Sequence, residues 1–206
     1  MKLYYSPGAC SLAPHIVARE AGLAIELVEV DLAKHKLKDG GDYFAINPRG
    51  YVPLLELDDG TRLTEVAALV QYLADLNPEA KLAPTAGTFD RIKLQSWLTF
   101  VSSELHKVFS PWLWHKDTAP STVKAVRDKI ALRFIELDRV LAAQPYLMGE
   151  RFSVADAYAF AIVNWSNLLD VSLAPYPALA DYVARIAERP AVRAAMRAER
   201  LIREAA

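Results

Sequence analysis

The chain has 206 residues, 53% of them apolar, with 24 Lys and Arg against 25 Asp and Glu and a formal charge of −1. That length suits one large or two small domains, and the near-neutral balance gives no electrostatic reason to expect nucleic acid or an anionic membrane as partner. A single cysteine excludes an internal disulfide and suits a reducing compartment, so a soluble cytoplasmic protein is expected.

Met1-Lys2-Leu3 runs straight into Tyr4-Tyr5-Ser6-Pro7-Gly8, with no signal-peptide core expected. Lys2 to Tyr5 reads as a strand and Ser6 to Ala9 as a loop, with Cys10 and Ser11 where a helix begins. Pro14 is tolerated in that helix's first turn, Leu12, Ile16 and Val17 form its apolar stripe, and Gly22 suits the position past its end. Ile25 to Leu32 is rich in β-formers. Strand, helix and strand within about 30 residues make a βαβ unit, with parallel strands and a right-handed crossover. His35 to Asn47 reads as loop.

The next stretch organises the chain. Val52 to Leu57 is a short apolar run, Asp58 to Thr61 a turn, and Arg62 to Thr64 the return strand of a hairpin. Val66, Leu69, Val70 and Leu73 then fall at helical spacing, with Asn77-Pro78 as the stop. Val52-Pro53 puts a proline, whose preceding bond is allowed to be cis, at the head of a strand. Thr64-Glu65-Val66 opens a helix directly after a strand, leaving N–H groups that can hold a carboxylate or phosphate. Taken singly, these features read first as an edge proline and an acid complementing the helix dipole.

Asn77 to Thr88, with two prolines and a glycine, is the natural linker, and all beyond it is helical in pattern. Phe89 to about Ser110 reads as one long helix that Pro111 breaks, and Ser121 to Ala143 as a second. Ser153-Val154-Ala155-Asp156 is a capping box starting a buried helix. That most apolar stretch, Val154 to Leu169, is too short to span a bilayer and carries Asp156 and Asn164. Pro177 opens another helix, and Pro190 separates it from the last, whose locally basic run to Arg203 reads as a solvated face. The expected architecture is a βαβ-ββα domain over 1–77, a linker over 78–88 and an all-α domain over 89–206.

Few residues carry chemistry. Cys10 stands at a helix N-terminus, where the dipole favours thiolate; the alternative is a buried, inert thiol. On the Phe89–Ser110 helix, Thr99, Ser103, His106 and Ser110 fall within an arc of about 60°. Such a stripe is either solvent side or the lining of a polar cleft. Trp112, Trp114 and Trp165 are either core or the walls of an apolar pocket. No metal-ligand spacing, P-loop or GxGxxG is present, so no metal is expected.

Several runs together carry a resemblance. Tyr4-Tyr5-Ser6-Pro7-Gly8-Ala9-Cys10-Ser11, Asn47-Pro48-Arg49-Gly50-Tyr51-Val52-Pro53-Leu54-Leu55, Leu63-Thr64-Glu65 and Val70-Gln71-Tyr72-Leu73-Ala74-Asp75 resemble a cytosolic glutathione S-transferase, and within that superfamily the bacterial beta class. Glu104-Leu105-His106-Lys107, Ser153 to Tyr158 and Ala187 to Val192 extend the likeness over nearly the whole chain.

The resemblance implies a thioredoxin-like N-terminal domain, a helical C-terminal domain, a homodimer, and glutathione as co-substrate with a small hydrophobic electrophile as partner. Cys10 and His106 would be catalytic, facing the glutathione sulfur. Val52, before a cis-Pro53, would pair with the cysteinyl backbone as an added strand does. Glu65 would take the ammonium and the Val66 N–H the γ-glutamyl carboxylate. His35, Tyr51, Thr99, Ser103, Glu104 and Lys107 complete the implied glutathione contacts. Tyr5, Phe109, Trp112, Trp114 and Trp165 would border the hydrophobic pocket. Val66 stands where serine or glycine is usual, His35 where a lysine often reaches the glycyl carboxylate, and Thr99 where an amide is common. Conjugation is the expected reaction. Cys10-dependent disulfide exchange, dehalogenation and a non-catalytic binding role are the alternatives.

Overall fold

The computed structural model describes residues 1–202. By its contacts the chain divides into two compact units, Met1–Ala83 together with the chain from Arg189 on, and Pro84–Glu188.

The first unit is built on a five-stranded sheet. Its strands are β1 (Lys2–Tyr5), β2 (Glu26–Asp31), β3 (Lys36–Leu37), β4 (Leu54–Glu56) and β5 (Arg62–Thr64), in the order β3-β2-β1-β4-β5. β1 pairs parallel with β2, Lys2 opposite Glu26, as the βαβ pattern requires, and antiparallel with β4, Leu3 opposite Leu55. The hairpin closes with Leu54 opposite Thr64. α1 (Leu12–Glu20) is the crossover, and α2 (Val66–Leu76) follows β5 over the span its periodicity predicts. Gly22 lies past the end of α1 at φ 65, the left-handed position that a glycine fills at low cost.

Two features of this unit depart from expectation. The stretch after His35, expected as loop, contributes β3 and a 3-10 turn over Tyr43–Ala45 whose N-cap Asp42 accepts from Phe44 N–H. Two residues carry too little periodicity to announce a strand; pairing with β2 makes one, Val30 opposite Leu37. The last helix, α8 (Pro190–Ala198), also groups here. It packs on α1, burying Val192, Ala195 and Met196, while Arg189 forks onto both carboxylate oxygens of Glu20 at 2.6 and 2.9 Å.

The second unit is helical: α3 (Phe89–Phe100), α4 (Lys107–Phe109), α5 (Pro120–Leu141), α6 (Val154–Val163) and α7 (Pro177–Ala187). Its core holds Leu94, Leu98, Val101, Leu105, Phe109, Ile130, Phe134, Leu137 and all of α6. The expected continuous helix from Phe89 to Ser110 is interrupted: Val101–His106 is a π-helix between α3 and α4. A π turn advances less per residue than an α turn, so side chains beyond it rotate off the stripe that α periodicity predicts. The buried helix likewise ends at Val163 and continues as a 3-10 turn, Asn164–Asn167. The expected capping box forms, with Ser153 N–H and Oγ–H each donating to Asp156 Oδ2 at 2.8 Å. Among the described residues no helix is long and apolar enough to cross a membrane, and no group of three or more side chains could hold a metal ion.

Candidate functional site

The candidate site of the first unit begins in the loop between β1 and α1. Ser11 Oγ donates to Ser6 O at 3.3 Å and accepts from Ser6 N–H at 3.2 Å, closing the loop on itself. Gly8 N–H donates to Glu199 Oε2 at 3.0 Å, and Glu199 Oε1 lies 2.8 Å from His15 Nδ1, both side chains fully buried. Arg19 Nε–H donates to His15 Nε2 at 2.8 Å. An arginine can only donate, so the imidazole proton sits on Nδ1 and points at the carboxylate. Neither His15 nor Glu199 stood out in sequence. The only hint was a histidine inside the apolar run of α1 with an arginine one turn on.

Cys10 at the end of this loop is 8% exposed, and its Sγ lies 3.3 Å from the main-chain oxygen of Val52. As a donor to a carbonyl the sulfur carries its proton. The Val52-Pro53 bond is cis. The turn before it is braced from below, Tyr43 Oη and Asn47 Nδ2 both donating to Tyr51 O at 2.8 and 2.7 Å, while the Tyr51 ring is exposed. His35 does not reach outward from this edge. Its ring packs 4.3 Å from Phe44 and its Nδ1 lies 3.2 Å from Gly50 O. Gly50 is required there: its φ is +69, and an added Cβ would meet Phe44 Cε1 at 2.7 Å and His35 Nδ1 at 2.8 Å.

Glu65 precedes α2 with φ 71 and ψ 114, a conformation that costs a non-glycine residue of order 1–3 kcal/mol and clusters at ligand clamps. Its carboxylate caps nothing in its own helix and instead pairs with Arg49 at 3.2 Å. Ala68 and Leu69 N–H both bond Glu65 O, which leaves the Val66 and Ala67 N–H groups without acceptors among the described residues. Two open donors beside one carboxylate can receive an α-amino-acid head, carboxylate on the N–H groups and ammonium on Glu65.

The candidate site of the second unit centres on His106. The π turn takes this side chain off the predicted hydroxyl stripe and points it inward, its Nδ1 2.7 Å from Tyr158 Oη and its ring edge-on to Trp165 at 5.1 Å. Burial, with a smaller contribution from Lys107, lowers its pKa to about 4, so the imidazole is neutral at pH 7. It can act as a hydrogen-bond donor or acceptor there but not as a cation. Ser103 donates back to Thr99 O at 2.9 Å. Glu104 is held by Arg133 at 2.8 Å and Lys129 at 3.4 Å; the Arg133 hydrogen bond leads in lowering its pKa.

The predicted pocket aromatics divide. Phe109 and Trp165 are core, joined ring to ring at 6.1 Å, and Trp114 packs edge-on to Trp165 at 5.4 Å while remaining 44% exposed. Trp112, 47% exposed, borders instead a recess of about 460 Å3 with Lys107 and Ser103. Tyr5 belongs to the first unit and is buried.

This geometry has counterparts among known proteins. Residues 8–76 match the family model of the glutathione S-transferase N-terminal domain, and residues 100–190 that of its C-terminal domain. Glutathione S-transferase GstA of Escherichia coli O157:H7 is 43% identical over 201 residues, covering 98% of this chain and 100% of that protein. A sphingomonad glutathione S-transferase, solved in complex with glutathione, superposes with a TM-score of 0.93 at 46% identity over 98% of this chain and 100% of its own. The beta-class enzyme of Sphingomonas chungbukensis gives 0.94 at 44% identity, with the same coverage.

Proposed function

Since the chain belongs to the glutathione S-transferase family, we propose that it conjugates reduced glutathione to small hydrophobic electrophiles. One arrangement supports this above the rest: Cys10 Sγ, the Val52–cis-Pro53 main chain and Glu65 with its two open N–H donors stand in one unit. Val52 would present its backbone to the cysteinyl residue as an edge strand does. Glu65 and the Val66 N–H would hold the γ-glutamyl head, with Cys10 and His106 as the catalytic residues. Residues 1–77 would in this view bind glutathione, with 78–88 a linker and the chain from 89 on helical, its last helix α8 packing on α1 of the first unit. Trp112 and Trp114, the two exposed tryptophans of the predicted pocket, are proposed to meet the electrophile. His106, being neutral, would assist by a hydrogen bond rather than by charge.

The protein is further proposed to act in detoxification as a cytoplasmic homodimer, paired through the helical segment from Phe89 to Ser110 that carries Thr99, Ser103 and Glu104. A monomer in equilibrium sedimentation at micromolar concentration would remove the dimer from this account. The activity itself is tested by retention on immobilised glutathione followed by conjugation assays with a panel of electrophiles. Turnover of at least one is expected. Retention without any turnover would favour a ligand-binding role. Release of halide from chlorinated aromatics alone would make the protein a dehalogenase.

A further inference from the structure

Glu65 does not stand alone at the start of α2. Arg49 Nη1 lies 3.2 Å from its Oε1, and the two side chains are 67% and 74% exposed. An ion pair this open contributes little to stability and exchanges partners at small cost. Arg49 spends one N–H on it. A guanidinium has five donors in a planar fork that matches a carboxylate bidentately, and among the described residues its others meet no protein acceptor.

The main chain sets where the pair stands. Arg49 N–H donates to Asn47 Oδ1 at 3.2 Å and Gly50 N–H to Asn47 O at 2.8 Å, so the turn carrying Arg49 is tied to one buried asparagine. Glu65 is held by the start of α2, whose apolar stripe is buried. Beside them the Val66 and Ala67 N–H groups are open, and Val66 brings no hydroxyl to a carboxylate placed there.

Glutathione begins with an α-amino-acid head, an ammonium and a carboxylate on one carbon. We propose that Arg49 and Glu65 read this head as a pair, Glu65 taking the ammonium and Arg49 the α-carboxylate alongside the Val66 N–H. This rests on the glutathione reading given above. In the free protein the two side chains satisfy each other. The zwitterion inserts by exchanging that one contact for two, and the net charge of the site does not change. A lone Glu65 would accept any small amine. The pair accepts only a ligand that carries both charges at this spacing, so Arg49 is a specificity-determining residue. It also supplies the carboxylate contact that a hydroxyl at position 66 would otherwise make.

The test compares glutathione with its analogue lacking only the α-carboxylate, 4-aminobutyryl-cysteinylglycine. Binding of each is measured by calorimetry to the full-length protein and to Arg49→Gln, Arg49→Lys and Glu65→Ala. Both side chains are exposed, so the variants are expected to fold. Arg49→Gln is expected to weaken glutathione about tenfold or more and the analogue less than about twofold. Arg49→Lys should fall between, since a point charge lacks the fork. If Glu65→Ala weakens glutathione while Arg49→Gln affects both ligands equally, or tightens glutathione by freeing Glu65, the role given to Arg49 is overturned and the glutathione site stands. If neither substitution changes glutathione affinity, the head group does not bind at this ion pair, and the placement of glutathione falls with the proposal.

Discussion

The thiol of Cys10 donates to the main-chain carbonyl of Val52 at 3.3 Å, joining residues 42 positions apart. The two loops that meet there, one before α1 and one before β4, are each braced by other side chains, so the sulfur is aimed rather than merely present. A peptide thiol that pairs its backbone with Val52 would bring its own sulfur to this point.

Cys10 is therefore expected to form a mixed disulfide. Oxidised glutathione should leave one glutathione per chain, the Cys10 thiolate attacking one sulfur and reduced glutathione leaving. With no second cysteine to resolve the adduct, an added reductant should remove it. Cys10→Ala should abolish the adduct and any thiol transfer while keeping part of the conjugation activity. Intact-mass spectrometry with and without reductant decides; a protein that never gains the adduct has an inert thiol, as its 8% exposure alone would suggest.

Glu65→Ala should weaken glutathione binding by about 10- to 100-fold, the loss of about 1.5–3 kcal/mol from a charge-assisted hydrogen bond. Stability should change little, because Glu65 makes no cap and α2 docks through Val66, Leu69, Val70 and Leu73. Parallel titration and urea unfolding separate the two effects. Unchanged affinity would mean the tripeptide lies elsewhere.

His106 makes stability depend on acid. Its folded pKa of about 4 lies below the 6.5 of an unfolded histidine, so between these values the unfolded chain binds the extra proton. Its contribution is intact above pH 6.5, is lost as pH falls towards 4, and changes no further below that. The full loss is up to about 3 kcal/mol. Urea midpoints at pH 7 and pH 4.5 should differ less in His106→Gln than in the parent. Tyr158→Phe, which removes the hydroxyl at 2.7 Å, should shift the pH profile of conjugation without changing its KM for glutathione.

Asp156 anchors the second unit. It accepts from Leu147 N–H and Tyr182 Oη–H at Oδ1 and from Ser153 twice at Oδ2, all between 2.8 and 3.0 Å. Burial is the largest influence on its carboxyl and raises its pKa despite these donors. Asp156→Ala strands several buried donors and should cost about 3–5 kcal/mol. Thermal unfolding would read this as a fall of roughly 10 °C or more in Tm. A fall of a degree or two would mean that water replaces the carboxylate.

What the sequence determined by itself was local. The spacing of Val66, Leu69, Val70 and Leu73 defines α2 to the residue, and the apolar run before the turn at Asp58 to Thr61 marks its hairpin, of which Leu54–Glu56 and Arg62–Thr64 form the strands, because both patterns depend only on neighbours in the chain. The runs around Cys10, Val52-Pro53 and Glu65 likewise pointed to the family, since turn and cap chemistry is written in consecutive residues. Tertiary structure decided the rest. β3 exists only because β2 offers it an edge, and α8 joins the first unit through Arg189–Glu20 and Glu199–His15, pairs separated by 169 and 184 positions. His106 left its predicted stripe because a π turn replaced α geometry at Val101–His106, where its ring then met Tyr158 and Trp165. Periodicity assumes a constant rotation per residue; partners brought together by folding can change that rotation, and no pattern within the segment records who those partners will be.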